Sequence, residues 1–366
     1  MNAIREIELK GEPGERGYQH GRALRDDIGV FYERFIAYAV DGAAGKHAES
    51  DYLNYAMAHL PAARQYAPDL VEEVEGIAQG AGIAFEKAFV LNCFDEVNCH
   101  GPALLKGGLH GCTAFAATGR ATRDGTTYIG QGWDMNDWYP PVIFRLVQPD
   151  GETEALVYGH PGIIGGTGIN RHGLALVWNT LKSNDARPGV PAPFVVRKAL
   201  QQQYLPALVG IVIGAHRANG LNFIVGASFG AVDIEVSATK YAVTYGGTFL
   251  HHANHHEAPQ LLQYEDGFAS LWPDTLIRSG RMRQLLEEHF GRIDLETCQE
   301  IMRDHGGYPG SICRHLCDGQ PGGEGQTQAS LLYVPAEGKM LATNGRACEQ
   351  PFVEYTLSPV REAALA

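Results

Sequence analysis

Gly111-Cys112, followed by Thr113, has the residue types for an unusual chemistry. If the chain cuts itself between the two, Cys112 becomes a new first residue that carries thiol and α-amine together. In model compounds the amine titrates near pH ~8 and the thiol near ~8.5, so base and nucleophile are matched. Glycine before the cut leaves the scissile carbonyl open and tolerates strained backbone. A small residue opening a buried strand has the same appearance, since free cysteine is often plain core.

Three other stretches carry groups that such a nucleophile needs. Gly130-Gln131-Gly132-Trp133-Asp134-Met135 reads as the second strand after Cys112, and a hairpin returns Asp134 toward it. A carboxylate there can hold or orient the amine; a strand terminator is the alternative. In Phe249-Leu250-His251-His252-Ala253-Asn254-His255-His256, the Asn254 amide can donate to a developing oxyanion, or simply close a turn. The histidines and Glu257 match no zinc ligand spacing, so neither metal nor cofactor is expected. Tyr308-Pro309-Gly310-Ser311-Ile312-Cys313-Arg314 supplies a permanent cation, suited to pairing with Asp134, to gripping a substrate carboxylate, or to a surface ion pair. Cys313 and Cys317, with His315 between, fit a metal weakly and read as structural. Asn179, ending a strand, can line a pocket or act as a cap. Gly162-Ile163-Ile164-Gly165-Gly166-Thr167-Gly168 lacks Gly-Lys-Ser/Thr and leads into a strand, so it is not read as a phosphate loop.

These residues need a scaffold, and the pattern of apolar residues describes one. Glu6 to Lys10 alternates like a strand, and Gly17-Tyr18-Gln19-His20-Gly21 leads into a helix with Ile28, Phe31, Phe35 and Ala39 on one face. There His20 reads as a packed histidine at a helix start. Helices are expected over 51–66, 68–80 and 84–97. From Cys112 the pattern changes to strands at 112–117, 126–135, 142–148, 154–158 and 174–178, punctuated by Asp124-Gly125 and Asp150-Gly151. Helices at 193–204 and 205–218, strands at 222–225, 232–236 and 241–250, helices at 274–290 and 295–305, and strands at 328–334 and 340–343 complete the chain. Antiparallel hairpins with grouped helices make an α+β fold. The glycine-rich passage from Gly101 to Gly108 reads as a processing loop.

The 366 residues suffice for a large core, and the formal charge of -13 disfavours nucleic acid and anionic membranes as partners. Seven cysteines form no regular framework, which suits a reducing compartment. The N-terminus has no apolar signal core, no apolar run is long enough to span a bilayer, and Ala364-Leu365-Ala366 is not a peroxisomal address. A cytoplasmic location is expected.

Taken in order, Gly17 to Gly21, Gly111-Cys112-Thr113, Gly130 to Asp134, Gly162 to Gly165 with Asn170 and Gly173, His252 to His255, and Tyr308 to Arg314 resemble the penicillin acyltransferase family (acyl-coenzyme A:isopenicillin N acyltransferase-like proteins) within the N-terminal-nucleophile hydrolases. The family often has asparagine where Gly132 stands, and phenylalanine is known where Gly310 stands. The resemblance implies a four-layer αββα sandwich. It implies self-cleavage into 1–111, a mainly helical chain, and 112–366, which bears the nucleophile, the two forming one structural domain. It also implies Cys112 as nucleophile, Asp134 and Arg314 organising the site, and Asn254 in the oxyanion hole. Trp133, Asn179, Tyr308 and Ser311 are the expected substrate contacts. The expected function is hydrolysis of a small N-acyl amide through a thioester. Acyl transfer from acyl-coenzyme A to an amine such as a β-lactam nucleus is the enzymatic alternative, and an uncleaved binding protein is an alternative of another class. Beyond the two chains of one precursor, a homo-oligomer is possible as a partner arrangement.

Overall fold

The structure, a computed structural model, describes residues 3–102, 111–149, 152–316 and 325–357. Most of the glycine-rich passage before Gly111, the Asp150-Gly151 turn, Cys317 and Ala364-Leu365-Ala366 lie outside the described residues.

Strand β1 (Arg5–Lys10) is followed by helices α1 (Pro13–Ala23), α2 (Arg25–Gly42), α3 (Glu49–Met57), α4 (Leu60–Tyr66), α5 (Pro68–Ala81), α6 (Phe85–Leu91) and α7 (Phe94–His100). Strands then dominate: β2 (Cys112–Gly119), β3 (Gly125–Asn136), β4 (Val142–Val147), β5 (Thr153–Gly159), β6 (Thr167–Asn170) and β7 (Ala175–Leu181). Helices α8 (Ala192–Leu200) and α9 (Leu205–Gly214) lead to β8 (Gly220–Ala227), β9 (Gly230–Val236), β10 (Tyr241–Gly246) and β11 (Phe249–His252). Last come α10 (Phe268–Leu271), α11 (Asp274–Glu288), α12 (Leu295–Ile301), β12 (Gly325–Val334), β13 (Lys339–Ala342) and β14 (Val353–Thr356).

The strands form an eight-stranded sheet in the order β1-β4-β5-β6-β7-β8-β9-β10 and a six-stranded sheet in the order β11-β2-β3-β12-β13-β14. The fold is α+β, with the expected αββα layering. Between the sheets Trp133 of β3 meets Trp178 of β7 at 5.5 Å, ring centre to ring centre. On the outer face of the smaller sheet, Phe115 and Leu332 pack with Met282 and Leu286 of α11 and Ile301 of α12. On the larger sheet α1 packs on β1, α8 on β6 and β7, and α9 on β8 and β9. Because β1 pairs in parallel with β4, residues before Cys112 are woven into the larger sheet. No described helix is long and apolar enough to cross a membrane.

The motif Gly17 to Gly21 serves packing. A Cβ at Gly17 would lie 1.9 Å from the Glu73 carbonyl oxygen, and one at Gly80 would lie 2.2 Å from that of Tyr18, so α1 and α5 touch backbone to backbone. His20 is buried, and its Nε2 accepts the Gly162 N–H at 2.9 Å. Burial, with the Arg197 charge, pushes it down to about 3 and keeps it neutral.

Strands β6 and β14 and the short helix α10 are absent from the sequence reading, and three expected elements are divided. The expected helix over 51–66 is α3 and α4, with Pro61 in the first turn of α4. The one over 84–97 is α6 and α7, because the Asn92 side chain is drawn off to bond Gly162 O at 2.8 Å and Ile164 N–H at 2.9 Å. The stretch 241–250 is two strands in different sheets, since the chain crosses at Gly246-Gly247.

Candidate active site

Cys112 heads β2 and stands opposite Trp133 in the antiparallel pair β2–β3, which brings the next residue, Asp134, level with Gly111. Every polar group of the peptide joining Gly111 to Cys112 is held. The Asp134 N–H donates to the Gly111 carbonyl at 3.0 Å. The Cys112 N–H donates to Asn254 Oδ1 at 2.7 Å. One residue on, the Cys112 carbonyl accepts from Arg278 Nη1 at 2.5 Å.

Asn254 is itself fixed on all sides. Its N–H donates to Thr275 Oγ1 at 2.7 Å, and its Nδ2 donates to Thr180 O at 3.0 Å. Its Oδ1 also accepts from Arg278 Nη2 at 3.0 Å. With two donors on one side and a carbonyl on the other, the amide can sit in one orientation only. The neighbouring histidines hold this segment in place. Glu235 of β9, in the other sheet, bonds His252 at 3.1 Å and His256 at 2.9 Å, and accepts the N–H groups of Glu257 and Ala258. Burial opposes protonation of His252, but the Glu235 hydrogen bond and the charges of Asp233, Glu257 and Glu235 together outweigh it and raise the imidazole to about 10. His252 and His256, both on Glu235, therefore staple the two sheets together, His252 as a buried ion pair.

Arg278 was not picked out from the sequence. It is fully buried on α11, and besides Cys112 O and Asn254 it donates to Thr113 Oγ1 at 2.8 Å and to Asp274 Oδ2 at 3.1 Å. Asp274 also receives Arg314, so of the pairings open to Arg314 in the sequence the structure forms neither one with Asp134 nor a surface pair, but a largely buried one with Asp274. Arg314 acts on Asp134 through its charge. The one available signal for Arg278 was the Asp274–Arg278 spacing on an expected helix, a pattern that commonly marks an exposed pair.

Asp134 is buried; its Oδ1 accepts from Thr327 Oγ1 at 2.7 Å, and its Oδ2 has no partner among the described residues. Burial pushes the carboxyl up to about 7, against the pull of the Arg278 and Arg314 charges. Burial, reinforced by the Asp134 charge, pushes the Cys112 thiol up to about 12. The uncut site thus pairs a protonated thiol with a carboxylate that ionises near neutrality.

A side chain at Gly111 has no room. A Cβ there would lie 2.9 Å from Arg278 Nη2 and 3.2 Å from Asp134 Oδ2. Gly111→Ala should displace both groups and cost roughly 1–3 kcal/mol of stability, as overpacking does. Denaturant unfolding and a time course of chain cleavage are the measurements; an unchanged cleavage rate would show that Gly111 is not held in this way.

Of the expected substrate contacts, Trp133 and Asn179 are buried near Cys112, and Tyr308 and Ser311 are not joined to this cluster by described hydrogen bonds. Asn179 Nδ2 donates to His252 O at 3.3 Å. Trp133 packs at 5.6 Å from Tyr158 and 6.0 Å from His160. Trp133 Nε1, Tyr158 Oη and His160 Nε2 are buried without hydrogen-bond partners among the described residues. Tyr308 is 63% exposed, and the Ser311 hydroxyl donates to Cys313 O at 2.6 Å. Gly310 lies against Asp274, where a Cβ would meet the Asp274 Cβ at 2.8 Å, so a larger residue there would move the bridge between the two arginines.

A family model described as acyl-coenzyme A:6-aminopenicillanic acid acyl-transferase matches residues 121–347. That span includes Asp134, Asn254, Arg278 and Arg314, and starts after Cys112. The chain is 29% identical over 360 residues to the 40 kDa form of acyl-coenzyme A:6-aminopenicillanic-acid-acyltransferase of Emericella nidulans, covering 93% of this chain and 92% of that one. It is 24% identical over 346 residues to an uncharacterized protein of Archaeoglobus fulgidus, covering 81% of this chain and 57% of that protein. Among solved structures, it resembles penicillin V acylase from Agrobacterium tumefaciens at 11% identity and a TM-score of 0.43, covering 64% of this chain and 83% of that one. It also resembles a mutant form of the conjugated bile acid hydrolase from Clostridium perfringens at 11% identity and a TM-score of 0.41, covering 68% and 97%.

Proposed function

Given that the chain belongs to the acyl-coenzyme A:6-aminopenicillanic acid acyl-transferase family, we propose that it is a self-processing cysteine amidohydrolase that cleaves a small N-acyl amide. The observation that carries this reading is the Gly111-Cys112 peptide, with its carbonyl on the Asp134 N–H and its own N–H on Asn254.

In maturation the Asp134 carboxylate takes the Cys112 thiol proton, and the thiolate attacks the Gly111 carbonyl carbon. The oxyanion forms where the Asp134 N–H already donates. The carbon–nitrogen bond breaks as the Cys112 nitrogen gains a proton, leaving a thioester. Water hydrolyses it, giving a Gly111 carboxylate and returning the Cys112 thiol beside the amine already freed.

In turnover that amine takes the thiol proton and the thiolate attacks the substrate amide. The second Nδ2 hydrogen of Asn254 donates to the new oxyanion, a contact of the kind worth roughly 3 kcal/mol. The amine product leaves with a proton, and water resolves the acyl-enzyme. Trp133, Tyr158 and His160, aromatic bodies with unpaired polar atoms between them, form the substrate wall together with Asn179. Arg278 and Arg314, bridged by Asp274, fix the charge behind the site.

N-terminal sequencing of purified protein tests this directly, with Cys112 expected as a second N-terminus. Material that hydrolyses amides with the Gly111-Cys112 bond intact would overturn the mechanism. Acyl transfer is the second reading, favoured by the family match. Partitioning of the acyl-enzyme between water and an added amine separates the two, since a hydrolase yields acid in proportion to water whatever the amine. A folded chain that neither cuts itself nor turns over N-acyl amides or thioesters would instead be the uncleaved binding protein.

Asp134 gives this reading a pH signature. Its folded pKa of about 7 lies above the ordinary 3.8. Below pH ~4 both states are protonated; between about 4 and 7 only the unfolded chain ionises, so stability falls as pH rises through that window. In a Cys112→Ala background, which keeps the chain whole, Asp134→Asn should therefore stabilise more at pH 8 than at pH 4.5 in urea unfolding. In the native background the same change should slow cleavage about 100-fold or more, the range of a lost general base. Equal effects at both pH values would mean that Asp134 does not titrate as described.

A further inference from the structure

His305, Cys313, His315 and Cys348 lie together on the surface side of the smaller sheet, and each offers one ligand atom within 4.8 Å of all the others. His305 Nε2 is 3.0 Å from His315 Nε2, and Cys348 Sγ is 3.6 Å from the same His315 nitrogen. A single ring nitrogen holds either one hydrogen or one lone pair, so it cannot satisfy a nitrogen and a sulfur at once. Convergence on a common central atom accounts for both approaches. In a tetrahedral zinc site, bonds of ~2.0–2.1 Å to nitrogen and ~2.3 Å to sulfur separate two nitrogens by roughly 3.3 Å and a nitrogen from a sulfur by roughly 3.6 Å. Cys313 and Cys348 are free thiols.

The backbone is tied so as to gather the four groups. The Cys313 N–H donates to Asp304 O at 3.0 Å, drawing Cys313 beside His305, and the His315 N–H donates to Pro309 O at 3.0 Å. Arg303 Nε donates to Ala347 O at 3.1 Å, which brings Cys348 to the same place from beyond β13. His305 is exposed and Cys313 is buried, leaving an open side for an ion to enter.

We propose that His305, Cys313, His315 and Cys348 form a structural zinc site. Two thiolates, two imidazoles and soft tetrahedral geometry select zinc over magnesium or calcium. With four protein ligands the ion has no open position for a substrate, so its task is to hold the fold. Binding releases one proton from each thiol, and the two thiolates balance the ion's charge. Arg314 lies between two of the ligands and reaches the opposite way to Asp274. The ion thereby pins the loop that carries Arg314 to the segment after β13.

The test uses the full-length protein purified with reductant and without chelator, and it reads metal rather than activity, so it is independent of the proposed reaction. Elemental analysis should find one zinc per chain. Exchange into cobalt should give the visible bands of a tetrahedral ion and thiolate-to-cobalt charge transfer in the near ultraviolet. Cys348→Ser should weaken zinc binding by well over the roughly 10-fold that loss of a supporting contact gives, and should reduce the charge-transfer band. His305→Ala, at the exposed ligand, should weaken binding while leaving far-ultraviolet circular dichroism unchanged. Holo protein should shield Cys348 from alkylation, and chelator should expose it. Reduced protein that neither holds nor takes up zinc, or a cobalt spectrum indifferent to Cys348→Ser, would overturn the proposal. So would an intact mass two hydrogens low with Cys313 and Cys348 joined, which would make the pair a disulfide.

Discussion

Cys112→Ala is expected to leave the protein as one 39.7 kDa chain with no measurable amide cleavage. The substitution removes the only atom that can attack Gly111 in the proposed maturation, and with it the nucleophile of turnover. Loss of a covalent nucleophile lowers rates by ~10⁶ in enzymes where it has been isolated, and here no amine base is generated either. The β2–β3 pairing should survive, because alanine fits where the thiol is buried between the sheets. Cys112→Ser separates the two roles. Its hydroxyl keeps the shape, but it is a far poorer acid than a thiol, so cleavage should be slow rather than absent. The burial that pushes the thiol up to about 12 adds that uncut protein should react sluggishly with alkylating agents at neutral pH. Intact-mass spectra, a thiol-labelling time course and an amidase assay are the three readouts. A Cys112→Ala chain that still divides at Gly111 would sink the mechanism.

The second large effect is expected at Arg278. This guanidinium has no exposure, and it joins Cys112 O, Thr113, Asn254 and Asp274. Removing one partner from a buried charge cluster leaves the others uncompensated, which commonly costs roughly 3–5 kcal/mol. Arg278→Met keeps much of the stem volume and deletes the charge, so it isolates that cost. Asn254 would lose the contact that orients its Oδ1, and cleavage should fall with stability. Arg278→Lys should not restore it, since one ammonium cannot span the four partners as a planar fork does. Arg283→Met on the same helix is the control: Arg283 pairs with Glu287 in solvent, where water and salt screen the pair and leave it little effect on stability. Denaturant midpoints and cleavage rates for the three variants are the measurements. If Arg278→Met matures and unfolds like the native chain, Arg278 neither orients the site nor holds it.

Local pattern made much of the frame legible. The apolar spacing of Ile28, Phe31, Phe35 and Ala39 marks the buried face of α2, and all four are buried. The alternation after Cys112 gives β2 and β3, and a short hairpin between them leaves little choice of partner, so Asp134 is brought to Gly111. The same locality misled where a remote group competes for the backbone or its side chains. Asn92 reads as helix interior until Gly162 and Ile164 claim its amide. Tyr241 to Leu250 reads as one strand because periodicity is blind to which sheet a residue joins.

What the sequence determined by itself was the chemistry on offer: a glycine-cysteine pair, a carboxylate one hairpin away, and an asparagine and an arginine in recognisable settings. What only the tertiary structure decided was who touches whom across long separations. Arg278 reaches Cys112 of β2 from α11, Arg314 pairs with Asp274 and acts on Asp134 by its charge, and Cys348 meets His315 from beyond β13. The physical reason is range. Helix and strand periods are fixed by bonds between near neighbours in the chain, whereas a buried charge finds its partner wherever folding has removed water, and no local spacing records that.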